Sequence, residues 1–152
     1  MKHYYSPRFR LLHWCSDQIL NDALAQMDLT ASQGRIMGYL AHQPQPPCAR
    51  DIEDHFHLSH PSVSGTLSRM EKKGFIALRP DDRDRRCKRI YILPRGMECH
   101  ERMEQVISGI EQQVVAGFSP DEQAEFSRLL DHAIQNMGCD PCKPFQKEES
   151  DQ

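Results

Sequence analysis

Hydrophobic residues recur at helical spacing at both ends of the chain. Over residues 8–27 the apolar positions fall three and four apart, which is typical of an amphipathic helix. A second helix begins after Thr30, which forms a capping box with Gln33, and it ends before the proline-rich linker "QPQPPC". Further along, Pro94 begins a long helix whose apolar stripe runs to about residue 118. A second capping box, led by Ser119, begins the last helix.

Two short helices and a hairpin are predicted for the middle of the chain. In residues 49–74 two apolar faces are separated by a break at Leu58-Ser59, and the second face ends at Gly74, a natural left-handed cap. This is the helix-turn-helix pattern. The strand-like runs "FIAL" and "KRIYIL" follow, and the charged segment "RPDDRDRRCKR" lies between and partly within them. We therefore predict an antiparallel hairpin with a basic tip.

The order of these elements predicts a fold class that is mainly α with a small β-hairpin. It is the order of a winged helix-turn-helix with N- and C-terminal dimerisation helices. The terminal helices carry more apolar surface than the core of so small a chain can use, which indicates a second copy. We predict dimerisation helices over residues 1–30 and 94–137, a winged helix-turn-helix DNA-binding region over 31–93, and a disordered tail over 138–152.

Bulk composition narrows the function classes. The 152 residues suit one compact domain, and no apolar run approaches the length of a membrane span. The N-terminus also lacks the apolar core of a signal peptide. We therefore expect a cytoplasmic protein without membrane contact, whose six cysteines rest as thiols.

The net charge of −3 is unevenly distributed. Residues 48–96 hold eleven Lys/Arg and seven Asp/Glu, a local charge of +4, whereas the rest of the chain carries −7. A basic face on an acidic body favours nucleic acid as a partner. Within the basic region, the second short helix presents small hydroxyl residues beside Arg69, and such residues allow close approach to a base edge or a phosphate.

Several segments together resemble the MarR family of bacterial transcriptional regulators. They are "LTASQGRIMGYL", "LSHPSVSGTLSRMEKKGFI", "DDRDRRCKRIYILPRG" and the two terminal helices, and the resemblance covers roughly residues 8–137. It implies a homodimer, joined by its terminal helices, whose two winged-helix lobes hold a pseudo-palindromic operator, more often as a repressor than as an activator. It also implies control by a small ligand, an oxidant or a metal.

The resemblance assigns a role to the hairpin tip. The family's Asp-x-Arg wing signature falls on Asp84-Arg85-Arg86, so Arg86 would enter the minor groove of double-stranded DNA while Asp84 orients it. Major-groove base contacts are predicted for Ser62, Ser64, Thr66 and Arg69, and phosphate contacts for Lys72, Lys73, Arg83, Arg85 and Lys88.

An effector crevice between the dimer helices and the winged helix is also implied by the resemblance. The candidate lining residues are Phe9, His13, Trp14 and Met37. An aromatic side chain there can stack on a phenolic or other planar ligand. The alternative is that Trp14 packs in the dimer core.

The cysteines leave alternatives open. Cys139 and Cys142 have the spacing of half a zinc site or of a redox pair, but no second such pair occurs in the chain. An incidental pair, a metal half-site and a thiol switch all remain open, and no metal site is assigned. Cys15 lies broadly where the peroxide-sensing branch of the family keeps its reactive thiol. Its sequence context differs, and we predict a core thiol.

Two other function classes fit less well. The chain has no P-loop, dinucleotide glycine pattern, zinc-protease motif or nucleophile elbow, so neither an enzyme nor a cofactor is predicted. A helical protein-interaction module without DNA binding would explain the terminal helices. It leaves the small-residue helix and the basic hairpin without a purpose.

Overall fold

The computed structural model describes residues 4–84 and 87–141. Within them the chain forms six α-helices and one antiparallel pair of strands. In chain order these are α1 (Ser6–Gln26), α2 (Ala31–Ala41), α3 (Ala49–Phe56), α4 (His60–Lys72), β1 (Ile76–Pro80), β2 (Lys88–Ile92), α5 (Pro94–Val114) and α6 (Pro120–Asn136). The predicted fold class, mainly α with one small hairpin, is confirmed. In the described part of the chain, no helix combines the length and apolarity needed to cross a membrane.

Both predicted capping boxes are present. The Thr30 hydroxyl accepts a hydrogen bond from the Gln33 N–H at 3.3 Å, and the Gln33 side chain accepts one from the Thr30 N–H at 3.1 Å. Ser119 and Glu122 exchange the same two hydrogen bonds at 3.3 and 2.8 Å. Each box satisfies two N–H groups that a first helical turn leaves without helical partners. For this reason α2 and α6 begin where the sequence predicts.

The long helix ends before its apolar stripe does. α5 ends at Val114 rather than near residue 118, and the turn that follows contains Gly117 with a φ of +85°. Glycine adopts this left-handed conformation without a steric penalty because it has no Cβ. The apolar residues after Val114 therefore belong to the connection that leads into α6.

Helices α3 and α4 form the predicted helix-turn-helix around an apolar core. His57, with a φ of 49°, ends α3 one position before the predicted break. Ile52, Val63 and Met70 are fully buried beneath the two helices. Gly74 has a φ of +75°, as predicted for a left-handed cap, so the chain turns there from α4 into β1.

The hairpin is anchored along both edges of its second strand. β1 and β2 pair antiparallel in a register that places Leu78 opposite Ile90. On the other edge of β2, the linker before α3 contributes a bridge between Cys48 and Arg89, and the Pro47 carbonyl oxygen accepts the Ile90 N–H at 2.9 Å. The base of the wing is therefore held against the start of the helix-turn-helix.

Helix α5 begins in close contact with the winged helix. A β-carbon built at Gly96 would overlap the carbonyl oxygen of Phe75 and would lie 2.8 Å from Ile92 Cγ2. Phe75 is fully buried, and its carbonyl oxygen also accepts the Leu93 N–H at 2.9 Å. The absence of a side chain at Gly96 therefore sets how closely α5 approaches the junction of α4 and β1.

The chain divides into two compact units at residue 110. The first unit contains the core of the winged helix. In the second, the rings of Phe118 and Phe126 meet edge to face at 5.7 Å, and α6, which is described in full, has no buried residue. The predicted division into dimerisation helices, DNA-binding region and tail stays a prediction, and residues 142–152 of the tail lie outside the described residues.

Candidate nucleic-acid interface

Helix α4 has one apolar face and one polar face. Val63, Leu67 and Met70 lie buried on the first. Ser62 and Ser64 are exposed on the second. Their hydroxyl groups are short and open to solvent, so a nucleic acid could approach the helix backbone closely on this face.

The Thr66 side chain does not face outward. It is hydrogen-bonded to Arg69 and holds that side chain along the helix. The Thr66 side chain, only 8% exposed, donates to the Ser62 carbonyl oxygen at 2.9 Å and accepts from Arg69 Nη2 at 3.3 Å. The Arg69 guanidinium passes beside Gly65, where an added β-carbon would lie 3.6 Å from Nη1. The base contact of Thr66 stays a prediction, and its geometry indicates that it positions the exposed Arg69.

Lys73 is bonded within the protein. Its Nζ donates to the carbonyl oxygen of Asp28 at 2.7 Å and to the Asp28 carboxylate at 3.0 Å. Asp28 lies in the turn between α1 and α2 and has a φ of 60°. Lys73 therefore ties the end of α4 to that turn, and a phosphate contact would have to compete with this ion pair. The neighbouring Lys72 is exposed.

The wing carries the remaining predicted contacts. Arg83, Asp84 and Lys88 are exposed. Arg85 and Arg86, to which a phosphate contact and the minor-groove contact are assigned, lie outside the described residues. Their roles stay predictions.

Asp81 organises the base of the wing tip. Its carboxylate accepts the Arg83 N–H at 2.9 Å and Arg89 Nε at 2.7 Å, and its own N–H donates to the Cys87 carbonyl oxygen at 2.9 Å. The hydrogen bond from Arg83, followed by that from Arg89, lowers the pKa of Asp81 from its ordinary value of 3.8. Asp81 is therefore ionised at neutral pH and joins the two sides of the tip.

Asp81 and Arg89 are absent from the set predicted from sequence. Extending the hairpin register by one position beyond Pro80 and Lys88 makes Asp81 and Arg89 diagonal neighbours, so their opposite charges were the available signal. Arg89 also donates to the Pro46 carbonyl oxygen at 3.3 Å, which connects the wing to the linker. On the neighbouring strand the Arg79 guanidinium lies 4.9 Å from the centre of the Tyr91 ring.

The cysteines lie in different environments. Cys15 is exposed on α1, so the prediction of a core thiol is wrong for the single chain. Cys139 is exposed, whereas Cys142 lies outside the described residues, and the nature of this pair stays open. Among the described residues, no three His, Cys, Asp or Glu side chains converge as metal ligands would.

The predicted effector residues do not share one environment. Phe9, His13 and Trp14 are exposed on α1, and His13 Nε2 lies 3.2 Å from a carboxylate oxygen of Asp17. Met37 has no accessible surface and would reach a ligand only if the core opened. A cleft of about 230 Å³ between α1 and α5 is lined by other residues: Ala23, Gln26, Met27, Arg102, Gln105 and Val106. The effector site stays a prediction.

A polar recognition helix followed by a hairpin with a basic tip defines a winged helix-turn-helix protein. Residues 27–86 match the sequence model of the MarR family. The match covers 60 of the 152 residues, and over this region the chain is similar to the MarR family.

Solved structures extend the similarity well beyond the matched residues. MepR, a transcription regulator of the Staphylococcus aureus multidrug efflux pump MepA, is 28% identical over 89% of this chain and 99% of its own, with a TM-score of 0.80. A complex of S. aureus MepR with DNA is 29% identical over 89% of this chain and 99% of its own, with a TM-score of 0.69. A Clostridium acetobutylicum protein, described as a MarR family transcriptional regulator, is 28% identical over 88% and 98%, with a TM-score of 0.75.

Proposed function

We propose that this chain is a sequence-specific, ligand-responsive transcriptional repressor that binds a pseudo-palindromic operator as a homodimer in the cytoplasm. The proposal is carried by one observation: the exposed polar face of α4 is followed directly by a hairpin whose basic tip is braced by Asp81. Such a pair of elements can contact base edges in the major groove and phosphates beside it. The proposed role is regulatory and not enzymatic.

A related protein supports double-stranded DNA as the partner. S. aureus MepR is solved in complex with DNA, and a MepR mutant is solved bound to an oligodeoxyribonucleotide. The local charge of +4 over residues 48–96 agrees with a polyanionic partner, because phosphate neutralisation supplies much of the affinity of such complexes.

Exposed apolar side chains on the terminal helices support the homodimer. On α1, Leu11 is 60% exposed and Trp14 is 58% exposed, and on α6 Leu129 is 51% exposed. Apolar surface of this extent favours an association that covers it. A second copy related by a two-fold axis covers the same surface on both chains. It would also place two winged helices on the two halves of a pseudo-palindrome.

Ligand response follows from the spacing of the two lobes. The half-sites of an operator lie about 34–36 Å apart, so a ligand that favours another lobe spacing would release DNA. Phe9 and Trp14 are exposed aromatic residues on a helix assigned to the dimer, and they suit a phenolic or other planar effector. The effector would act by binding more tightly to a dimer whose lobe spacing does not fit the operator than to one whose spacing does.

The decisive experiment compares two duplexes of equal length, one from the chain's own upstream region and one unrelated, in titrations at several salt concentrations. Arg69→Ala should weaken binding to the upstream duplex by about 1–3 kcal/mol, the scale of one lost base contact, and should change binding to the unrelated duplex much less. Arg128→Ala removes the same charge from α6, where Arg128 pairs with Glu125, and should bind like the parent. Equal affinity of the parent for both duplexes would contradict sequence-specific regulation.

A further inference from the structure

Two cysteines meet at the base of the wing. Cys48 forms the bridge to Arg89 on the outer edge of β2, and Cys87 precedes Arg89 by two positions. Cys87 lies directly before the start of β2 at Lys88, so the bridge brings Cys48 close to Cys87. There the side chains of Cys48 and Cys87 are hydrogen-bonded to each other.

The surroundings favour different roles for the two thiols. Both cysteines are half-buried, so a small molecule can reach them. The Arg89 guanidinium interacts with both sulfurs. Burial, followed by the hydrogen bond to Cys48, raises the pKa of Cys87, which outweighs the opposite effect of Arg89. The raised pKa favours the thiol form of Cys87, so Cys87 is assigned the second step of the reaction below and Cys48 the first attack.

Cys48 also occupies a structural position. It is the N-cap residue of α3, where its N–H donates to the Asp51 carboxylate at 2.7 Å. Cys87 lies at the other end of the contact, with its carbonyl oxygen accepting the Asp81 N–H and its own N–H donating to the Asp84 carbonyl oxygen, both at 2.9 Å. A covalent bond between the two sulfurs would join the first helix of the helix-turn-helix to the tip of the wing.

We propose that Cys48 and Cys87 form a reversible dithiol–disulfide site that reacts with low-molecular-weight disulfides and weakens operator binding when oxidised. The regulatory half of this proposal rests on the proposed function, whereas the chemical half does not. The site is separate from the Cys139 and Cys142 pair in the tail and from Cys15 on α1.

The reaction is a two-step thiol–disulfide exchange. The Cys48 thiolate attacks one sulfur of the small disulfide, forms a mixed disulfide and releases one small thiolate. The Cys87 thiol loses its proton and attacks the Cys48 sulfur, which closes the internal disulfide and releases the second small thiolate. The protein loses two electrons and two protons, and the small disulfide gains them as two thiols.

The bond would move the base of the wing. A disulfide holds its two sulfurs about 2.05 Å apart and its β-carbons about 3.8 Å apart, which is closer than two hydrogen-bonded thiols lie. Closure therefore draws Cys87 towards Cys48 and shifts the tip, which carries Arg83 and Asp84. Hydrogen bonds to a DNA groove depend on the position of the wing's side chains, so the oxidised wing should fit the operator less well.

The chemical half is tested by incubating the intact reduced protein with oxidised glutathione and mapping disulfides by mass spectrometry. The parent and a Cys139→Ser/Cys142→Ser variant should both yield a peptide pair that joins position 48 to position 87, and dithiothreitol should abolish it. Cys48→Ser provides the control, since serine is also a favourable N-cap residue and the variant is expected to fold. Free thiols at both positions, stable mixed disulfides alone, or links to other cysteines would each overturn the site.

The regulatory half is tested on the Cys139→Ser/Cys142→Ser variant with and without oxidised glutathione. Its affinity for the upstream duplex should fall about tenfold on oxidation and return on reduction. Cys48→Ser, placed in the same background, should bind like the reduced protein in both conditions. A linked peptide with unchanged affinity, or an equal loss in the Cys48→Ser protein, would overturn the regulatory role. If the reduced protein bound no DNA, the proposed function would fail while the disulfide map still reported on the site.

Discussion

Replacing Gly96 with alanine tests how the long helix is joined to the winged helix. The alanine would place its methyl group against the Phe75 carbonyl oxygen and 2.8 Å from Ile92 Cγ2. The first of these neighbours is backbone, so no rotamer change can remove the overlap. Relief requires α5 to move away from the junction of α4 and β1, and that movement stretches the 2.9 Å hydrogen bond from the Leu93 N–H to Phe75.

The expected magnitude follows from three effects. Overpacking a close-packed site costs about 1–3 kcal/mol. The weakened hydrogen bond costs up to about 1 kcal/mol more. Alanine in a helix offsets about 0.5–1 kcal/mol of this because it restricts the unfolded chain more than glycine does. The free energy of unfolding of Gly96→Ala should therefore be lower than that of the parent by about 2 kcal/mol.

Urea unfolding followed by circular dichroism measures this difference. All proteins must be compared at one concentration, because association, where it occurs, makes stability depend on concentration. Gly38→Ala is the matched control: Gly38 is also within a helix, but an added β-carbon there meets nothing within 4 Å. It should stabilise the protein by up to about 1 kcal/mol. A Gly96→Ala protein as stable as the parent, alongside a stabilised Gly38→Ala protein, would refute the close approach of α5.

Further predictions concern the wing, the dimer and the effector. Asp81→Asn should lower Tm at neutral pH. Because the folded pKa of Asp81 lies below 3.8, the ionised carboxylate contributes its full stabilisation above that value. The Tm difference from the parent should therefore shrink as pH falls through the folded pKa. Asp84→Ala should weaken operator binding although it removes a negative charge, because Arg86 would then lose side-chain entropy of about 1 kcal/mol on binding; tighter binding at every salt concentration would exclude this wing mechanism. Leu129→Asp should convert a dimer, seen by analytical ultracentrifugation, into monomer or aggregate, and a folded monomer of the intact chain would contradict the dimer. Trp14 is the single tryptophan, so a phenolic effector should change the intrinsic fluorescence as it releases DNA; release without a fluorescence change would place the effector elsewhere.

Local signals predicted the elements well because each depends on neighbours within a few positions. The capping boxes at Thr30 and Ser119 join residues three apart, and Gly74 ends α4 through its own backbone conformation. The end of α5 was misplaced because the apolar stripe continues past Val114, and only the chain's turn near Gly117 shows that those residues leave the helix.

For the candidate interface, too, the sequence predicted some features and missed others. Exposure of Ser62 and Ser64 follows from helical periodicity, since the apolar positions of α4 determine which face turns outward. Periodicity also put Thr66 on the polar face, but a threonine at the edge of that face can fold back on its own helix, and here it bonds to Ser62 and Arg69.

The sequence by itself determined the order of the elements, their caps, the polar face of the recognition helix and the basic hairpin. Only the tertiary structure decided which charges and thiols meet. Lys73 and Asp28 are 45 positions apart, Arg89 and Pro46 are 43 apart, and Cys48 reaches Cys87 only because the linker pairs with β2. The first contact joins the end of α4 to the turn between α1 and α2, and the other two join the linker before α3 to the wing. No short-range pattern in the chain specifies them, because packing brings together residues whose separation along the chain carries no signal.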